Sequence, residues 1–330
     1  MEYRRLGNSG LRVSVIGFGA WAIGGWMWGG TDQKNGLAAV QEAIEVGITT
    51  IDTAPVYGFG LSEKIIGEAI KGKRDKVEIL TKYGLRWDTQ KGQHFFETQD
   101  AQGKHIELHK YAGKEEVIQE CENSLRRLGT DYIDLYQIHW PDPTTPIEET
   151  MVAVEKLIQD GKVRAAGVCN YSMEQMKIAE KVVVLSSGQI PYSMVNRSAE
   201  KDLISYCIKN NKGVIAYSPL QRGLLTGKIG MNHKFAIGDH RPSTPFFSPD
   251  NRRKILSVLE KIRPLADTHG ATLAQLTIAW TIRRPGITVA LVGARNSGQV
   301  RENLRAIDIE LTHDEIQKIE ELLEELDLQL

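Results

Sequence analysis

Cysteine is scarce in this chain. Three occur in 330 residues, Cys121, Cys169 and Cys207, and they are widely separated. This excludes a disulfide framework and a Cys-x-x-Cys metal site, so reduced thiols and no bound metal are expected. Long apolar runs are also missing, none approaching the roughly 20 residues of a membrane span. The opening stretch, Met1 to Leu11, lacks the basic and then apolar segments of a secretory leader. A cytoplasmic setting with no membrane partner is therefore expected. Neither sign of charge dominates: 41 Lys plus Arg face 42 Asp plus Glu. Nucleic-acid binders are normally strongly basic, so that class of partner is excluded.

The chain does carry a repeating alternation of short aliphatic runs and segments of helical period. The clearest strands are Val13 to Phe18, Thr49 to Thr53, Val77 to Lys82, Tyr132 to His139, Val163 to Cys169, Gly213 to Tyr217 and Thr288 to Val292, with a weaker one ending near Gln189. Between them, apolar residues recur at three and four, as in Val117, Cys121, Leu125 and Leu128. Thr145, Pro146 and Glu148 read as a capping box with proline at the first helical position, and Ser172 with Gln175 as another. Gly47, Gly129 and Gly161 stand where left-handed helix ends are wanted.

The length allows two ordinary domains or one large barrel, and eight βα units would use roughly 41 residues each. No composition break marks a linker, and the alternation continues evenly to the C-terminus. The expected fold is α/β, a single (β/α)8 TIM barrel over residues 1–330, with an open doubly wound sheet as the alternative. Glu2 to Val13, turning at Asn8-Ser9-Gly10, reads as a hairpin that could close the barrel's bottom. Two connections, Leu85 to Gly113 and Gln221 to Pro249, are too long for simple turns. Each follows a strand, so both should lie over the C-terminal face, where barrel active sites form.

The strand ends carry candidate chemistry. Asp52 ends the second strand, Lys82 the third and His139 the fourth, and Tyr57 follows Asp52 closely. A lysine at an apolar strand end is costly to desolvate unless paired, so an Asp52 to Lys82 ion pair is expected. The remaining positive field would act on Tyr57 and favour its phenolate, lowering a pKa that is ordinarily near 10. A neutral His139 would hold a carbonyl oxygen in line with the tyrosine hydroxyl. Such a set suits protonation of an oxygen that becomes an alkoxide as hydride reaches its carbon. Taken singly, each residue has an ordinary explanation, as a cap or a satisfied buried polar group; their joint placement on successive strand ends is the signal.

Four separated motifs, IDTAPVYGFGLSE at 51–63, ENSLRRLGTDYIDLYQIHWPDP at 122–143, GKVRAAGVCNYS at 161–172 and IAYSPLQRGLLTGK at 215–228, give the chain a family likeness. From Leu6 to about Asn303 it resembles the aldo-keto reductases, in the bacterial NADPH-dependent branch of general-stress and inositol-cluster reductases, related to potassium-channel β subunits. The resemblance implies a tetrad of Asp52, Tyr57, Lys82 and His139. Tyr57 would be the proton donor, Lys82 and Asp52 the pair that lowers its pKa, and His139 the carbonyl orienter.

It also implies NADPH/NADP+ across the barrel mouth. Tyr217 would stack on the nicotinamide, and Asn170 and Gln189 would bind its carboxamide. Ser218, Leu220, Arg222 and Gly223 would follow the pyrophosphate, with Lys228 ending the same motif. Gly293, Arg295, Gln299 and Asn303 would hold the adenosine end. A guanidinium suits a 2′-phosphate, so Arg295 favours NADPH over NADH. Gly17-Phe18-Gly19-Ala20-Trp21-Ala22 matches a dinucleotide fingerprint, but no helix follows and no acidic residue ends a second strand at the right distance. These residues read instead as the first barrel loop, with Ala20 and Trp21 near the nicotinamide.

Two positions depart from the family pattern: Cys169 replaces the usual serine, and Tyr192-Ser193 the usual tyrosine-asparagine pair. The expected activity is reduction of small aldehydes, with ketones or sugar carbonyls as further substrates, within an aromatic rim of Trp21, Trp26, Trp28 and Trp140. The alternative is an NADPH-binding redox-sensing subunit of slow turnover. A barrel aldolase using Lys82 as Schiff base is disfavoured by Asp52, which keeps the lysine charged.

Overall fold

The computed structural model describes residues 1–330. Eight parallel strands close into a barrel: β1 Ile16–Gly19, β2 Thr50–Asp52, β3 Glu78–Tyr83, β4 Ile133–Ile138, β5 Val163–Cys169, β6 Leu185–Pro191, β7 Gly213–Tyr217 and β8 Ile287–Gly293. Successive strands pair, and β8 returns to β1 with Ala290 beside Ile16 and Gly293 beside Gly19. Helices α1 Gln33–Glu45, α2 Leu61–Ala69, α3 Lys114–Leu128, α4 Ile147–Gln159, α5 Met173–Ala179 and α6 Leu203–Lys209 follow β1 to β6 in turn. Two helices, α7 Pro249–Thr268 and α8 Leu273–Arg283, follow β7. After β8 come α9 Ser297–Leu304 and α10 His313–Glu324, the latter packing on α7. No helix is long and apolar enough to cross a membrane.

Local chemistry sets most helix ends. Ser172 accepts from the backbone N–H of Gln175 while the Gln175 side chain accepts from the N–H of Ser172, and Gly129 ends α3 at φ 64°. The box expected at Thr145 does not form. Pro146 has an extended ψ of 134° and itself occupies the cap position, so α4 starts one residue later and Glu148 loses its register.

The run read as a single strand from Val13 is divided. Arg12–Ser14 pairs with Tyr3–Arg5 as the hairpin, and the chain bends at Val15 before β1 begins. Ser14 explains the bend: its backbone N–H donates to Thr50 Oγ1 at 2.8 Å, tying the hairpin to β2. From the hairpin, Leu6, Leu11 and Val13 pack with Leu80, Leu135, Ala165, Ile215, Val289 and Leu291 inside the barrel. Leu6 approaches Gly213 so closely that a Cβ there would lie 2.4 Å from Leu6 Cδ1. The N-terminal end of the barrel is thus an apolar plug.

Because side chains alternate along a strand, the positions two residues further on face inward one layer higher. Lys82 follows Leu80, and Gln137 and then His139 follow Leu135. The upper layers are therefore polar, and they open on the C-terminal face.

The segment from Leu85 to Gly113 is a three-stranded antiparallel sheet, Leu85–Arg86, Gln93–Gln99 and His105–Lys110, in place of the irregular loop expected. Its polar residues lie on the exposed faces, which hid the strand pattern, while Leu85, Ile106 and Leu108 pack against Ala54 and Val56. The Gln221 to Pro249 connection contains three short 3-10 turns and no longer element.

Candidate active site

At the floor of the mouth Lys82 is wholly buried and Asp52 is 3% exposed. Lys82 Nζ donates to Asp52 Oδ1 at 2.6 Å and to the Thr53 carbonyl at 2.8 Å, and lies 3.4 Å from the Tyr57 hydroxyl. These three partners use all three ammonium donors. Burial is the largest influence and acts against the charged lysine, but Asp52, joined by Tyr57 and Cys169, outweighs it and the pKa stands above its ordinary value. Such a lysine is a poor Schiff-base former.

For Tyr57 the balance differs from expectation. Burial dominates and pushes its pKa up to about 12, with Lys82 only opposing that rise. The side chain is accordingly a phenol at neutral pH. Its ring meets His139 edge-on at 5.7 Å. Burial, then the charge of Lys82, hold His139 well below the ordinary imidazole range, so that ring is neutral.

Above this floor lies a cavity of about 700 Å³. It is lined by Asp52, Tyr57 and His139 and by every residue assigned to the cofactor from the sequence; of the tetrad, only Lys82 stands behind the wall. Ala20 is fixed by its N–H to the Asp52 carbonyl at 2.9 Å, and Trp21 stacks on Tyr57 at 6.0 Å. Tyr217 donates its hydroxyl to Asn170 Oδ1 at 2.9 Å, and Asn170 Nδ2 donates to the His139 carbonyl at 2.9 Å. Gln189 turns inward, donating Nε2–H to Asp52 Oδ2 at 2.8 Å. Cys169 offers its thiol to Gln189 Oε1 at 3.6 Å, a long contact from a poor donor.

Asn170, Ser218 and Arg222 all adopt left-handed backbone, at φ 60°, 57° and 54°. That conformation is costly for residues other than glycine, and such strain concentrates at ligand sites. Leu220 and Gly223 share the same turn. Further along, Arg295 donates its backbone N–H to the Gln299 side chain at 2.8 Å, and Asn303 Nδ2 reaches the Gly293 carbonyl at 3.4 Å. Lys228 is exposed, 3.8 Å from Glu302.

Two arginines in this cavity have no carboxylate partner. Arg222 packs over Trp21 at 5.6 Å with its buried Nε unbonded, and burial lowers its pKa. Arg295 spends one N–H on the Trp28 carbonyl at 2.8 Å, and burial and then Arg241 lower its pKa. A half-buried cation without a counter-charge suits an anionic ligand.

The aromatic rim is also placed here. Trp21, Trp26, Trp28 and Trp140 all line the cavity, joined by Phe95 and Phe96 from the antiparallel sheet. Sequence reasoning missed Met27, His240 and Arg241. His240 packs on Trp21 at 4.9 Å, and Arg241 pairs with Asp239 at 2.5 Å while lying over Trp28 at 5.1 Å. The only sequence signal for His240 and Arg241 is position within the second long connection, and Met27 lies in the first barrel loop.

The Aldo/keto reductase family model matches residues 15–324. The chain is 43% identical over 303 residues to the aldo-keto reductase YhdN of Bacillus subtilis, covering 91% of this chain and 87% of that protein. It is 36% identical over 328 residues to the NADH-specific methylglyoxal reductase of Escherichia coli, covering 98% of each. Among solved structures it is similar to the glycerol dehydrogenase of Gluconobacter oxydans, with a TM-score of 0.87 and 39% identity over 97% of this chain and 94% of that one. An aldo/keto reductase from Klebsiella pneumoniae in complex with NADP and acetate gives a TM-score of 0.73 at 31% identity, covering 97% of this chain and 95% of that one. With the family matched over nearly its whole length, this chain is a member of the aldo/keto reductase family of oxidoreductases.

Proposed function

We propose that the protein reduces small aldehydes to alcohols with NADPH, accepts ketones or sugar carbonyls more slowly, and uses Tyr57 as proton donor. The observation that carries this reading is a phenol held 3.4 Å from a charged lysine beside a neutral imidazole, at the floor of a cavity with two unpaired arginines. Bound reduced nicotinamide supplies the hydride. His139 orients the carbonyl by hydrogen bonding, Tyr57 gives its proton to the forming alkoxide, and Lys82 stabilises the phenolate left behind. The Trp and Phe rim keeps water from the reacting carbon and favours compact or flat substrates.

Tyr217 would support the nicotinamide, with Asn170 and Gln189 at its carboxamide. The left-handed turn from Ser218 to Gly223, with Arg222, would hold the pyrophosphate. Gly293, Arg295, Gln299 and Asn303, near the start of α9, would hold the adenosine end, with Lys228 at the edge. Arg295 supports NADPH over NADH, although one relative is named as NADH-specific. We place the protein in the cytoplasm, where its three unpaired thiols stay reduced, with a small carbonyl compound as its partner.

The test is a panel of small aldehydes, ketones and sugars assayed with NADPH and with NADH. Carbonyl-dependent oxidation of NADPH, several-fold faster than of NADH and fastest on aldehydes, is the expected result. Tight NADPH binding without multiple turnover on any member would overturn it in favour of a sensor.

A further inference from the structure

The buried amide of Gln189 has a position that a cofactor ligand alone does not need. An ionised carboxylate only accepts hydrogen bonds, so the Gln189 NH2 group must be the end facing Asp52. That N–H holds Asp52 Oδ2 at 2.8 Å while Lys82 holds Oδ1 at 2.6 Å, so the carboxylate is gripped on both oxygens. The other end, Oε1, has only the distant thiol of Cys169. Gln189 is 2% exposed, yet it lines the cavity beside Asn170 and Tyr217. It is thus the one side chain that both borders the nicotinamide region and bonds the aspartate of the tetrad.

We propose that Gln189 is a positioning residue for proton transfer, its amide tying Asp52 in place and linking occupancy of the nicotinamide region to the acidity of Tyr57. The inference rests on the reductase reading above. Oε1 is free to exchange its weak thiol contact for a carboxamide N–H, while Nε2 keeps its bond to Asp52. The charge of Asp52 works against the Tyr57 phenolate. A donor on Oδ2 offsets part of that charge and leaves more of the Lys82 field for the phenolate. Without the donor, the tyrosine pKa moves further up.

A raised tyrosine pKa slows both reaction directions. Alcohol oxidation needs the phenolate, whose population below its pKa falls tenfold for each unit of upward shift. Carbonyl reduction needs the phenol to give up its proton, which a weaker acid does less readily. In Gln189→Met, which keeps side-chain length and removes the donor, alcohol oxidation with NADP+ and aldehyde reduction with NADPH at pH 8 should each fall several-fold, up to about tenfold. The two losses are equal at one pH, because a substitution cannot alter the overall equilibrium.

Gln189→Glu provides a second variant with its own signature. Two adjoining carboxylates cannot both ionise easily, so the glutamate keeps a proton at low pH and donates it to Asp52. This variant should approach wild-type rates in acid and lose activity as the glutamate ionises, a pH dependence the wild type lacks.

The measurement is kcat in both directions across pH for wild type and both variants, with cofactor Kd taken from quenching of tryptophan fluorescence. A shared loss of kcat in Gln189→Met with the Kd of NADPH and of NADP+ unchanged, together with acid rescue in Gln189→Glu, would support the proposal. Losses that follow a rise in Kd, with no acid rescue, would make Gln189 a cofactor ligand only. Wild-type protein that turns over in neither direction would overturn the reductase reading itself.

Discussion

Tyr57 illustrates how burial and charge compete at one atom. A lysine 3.4 Å away lowers a tyrosine pKa in principle, but loss of solvent outweighs it here and the group stands at about 12. A phenol is the form needed to protonate an alkoxide, so this serves the reductive direction. With His139 also neutral and Lys82 held charged, neither of these neighbours of the tyrosine changes protonation across the middle of the pH range. Reduction should therefore be nearly level between about pH 6 and 9, as measured by kcat under saturating cofactor, and fall only as Tyr57 begins to lose its proton. Arg295 is the second residue whose role can be isolated. Arg295→Gln should weaken NADPH binding about tenfold, the worth of one charge-assisted hydrogen bond set, and leave NADH binding nearly unchanged. Equal weakening of both would deny it the 2′-phosphate.

At the scale of elements, the plug and the C-face sheet make separable predictions. Leu6 is wholly buried and fills the space above Gly213. Leu6→Ala should cost about 2–5 kcal/mol in urea unfolding, with little change in KM because the plug is remote from the mouth. The antiparallel sheet is anchored to α3 through Glu120, which accepts from the Gly84 N–H at 2.8 Å and lies 3.8 Å from Arg86. Burial raises its pKa from 4.5 to about 8, with Arg86 opposing. The fold thus prefers the protonated carboxyl. This stability is fully present below about 4.5, where both states hold the proton, and is lost as pH rises from there through about 8. Denaturation at several pH values should show that slope in the wild type and a flatter curve in Glu120→Gln.

For the whole molecule, the barrel was legible because each strand carries a short aliphatic run whose ends are punctuated by glycine or polar residues. The tetrad was legible because strand periodicity sends Asp52, Lys82 and His139 to one rim. Less was readable where long-range packing decides. Val13 to Phe18 looks like one strand until Ser14 bonds Thr50 across 36 positions. Leu85 to Gly113 looks irregular because its sheet buries one face only, against residues distant in sequence. His240 and Arg241 reach the cavity through a connection with no periodicity, and the inward turn of Gln189 follows from a hydrogen bond across 137 positions.

The central claim is that Tyr57 delivers the proton in carbonyl reduction, and Tyr57→Phe tests it most directly. The assay is aldehyde-dependent NADPH oxidation alongside a cofactor titration of the same protein. The account predicts a loss of about 10²–10⁴ in kcat with cofactor Kd unchanged, the size expected for removing a general acid. Turnover close to wild type in that variant would contradict it.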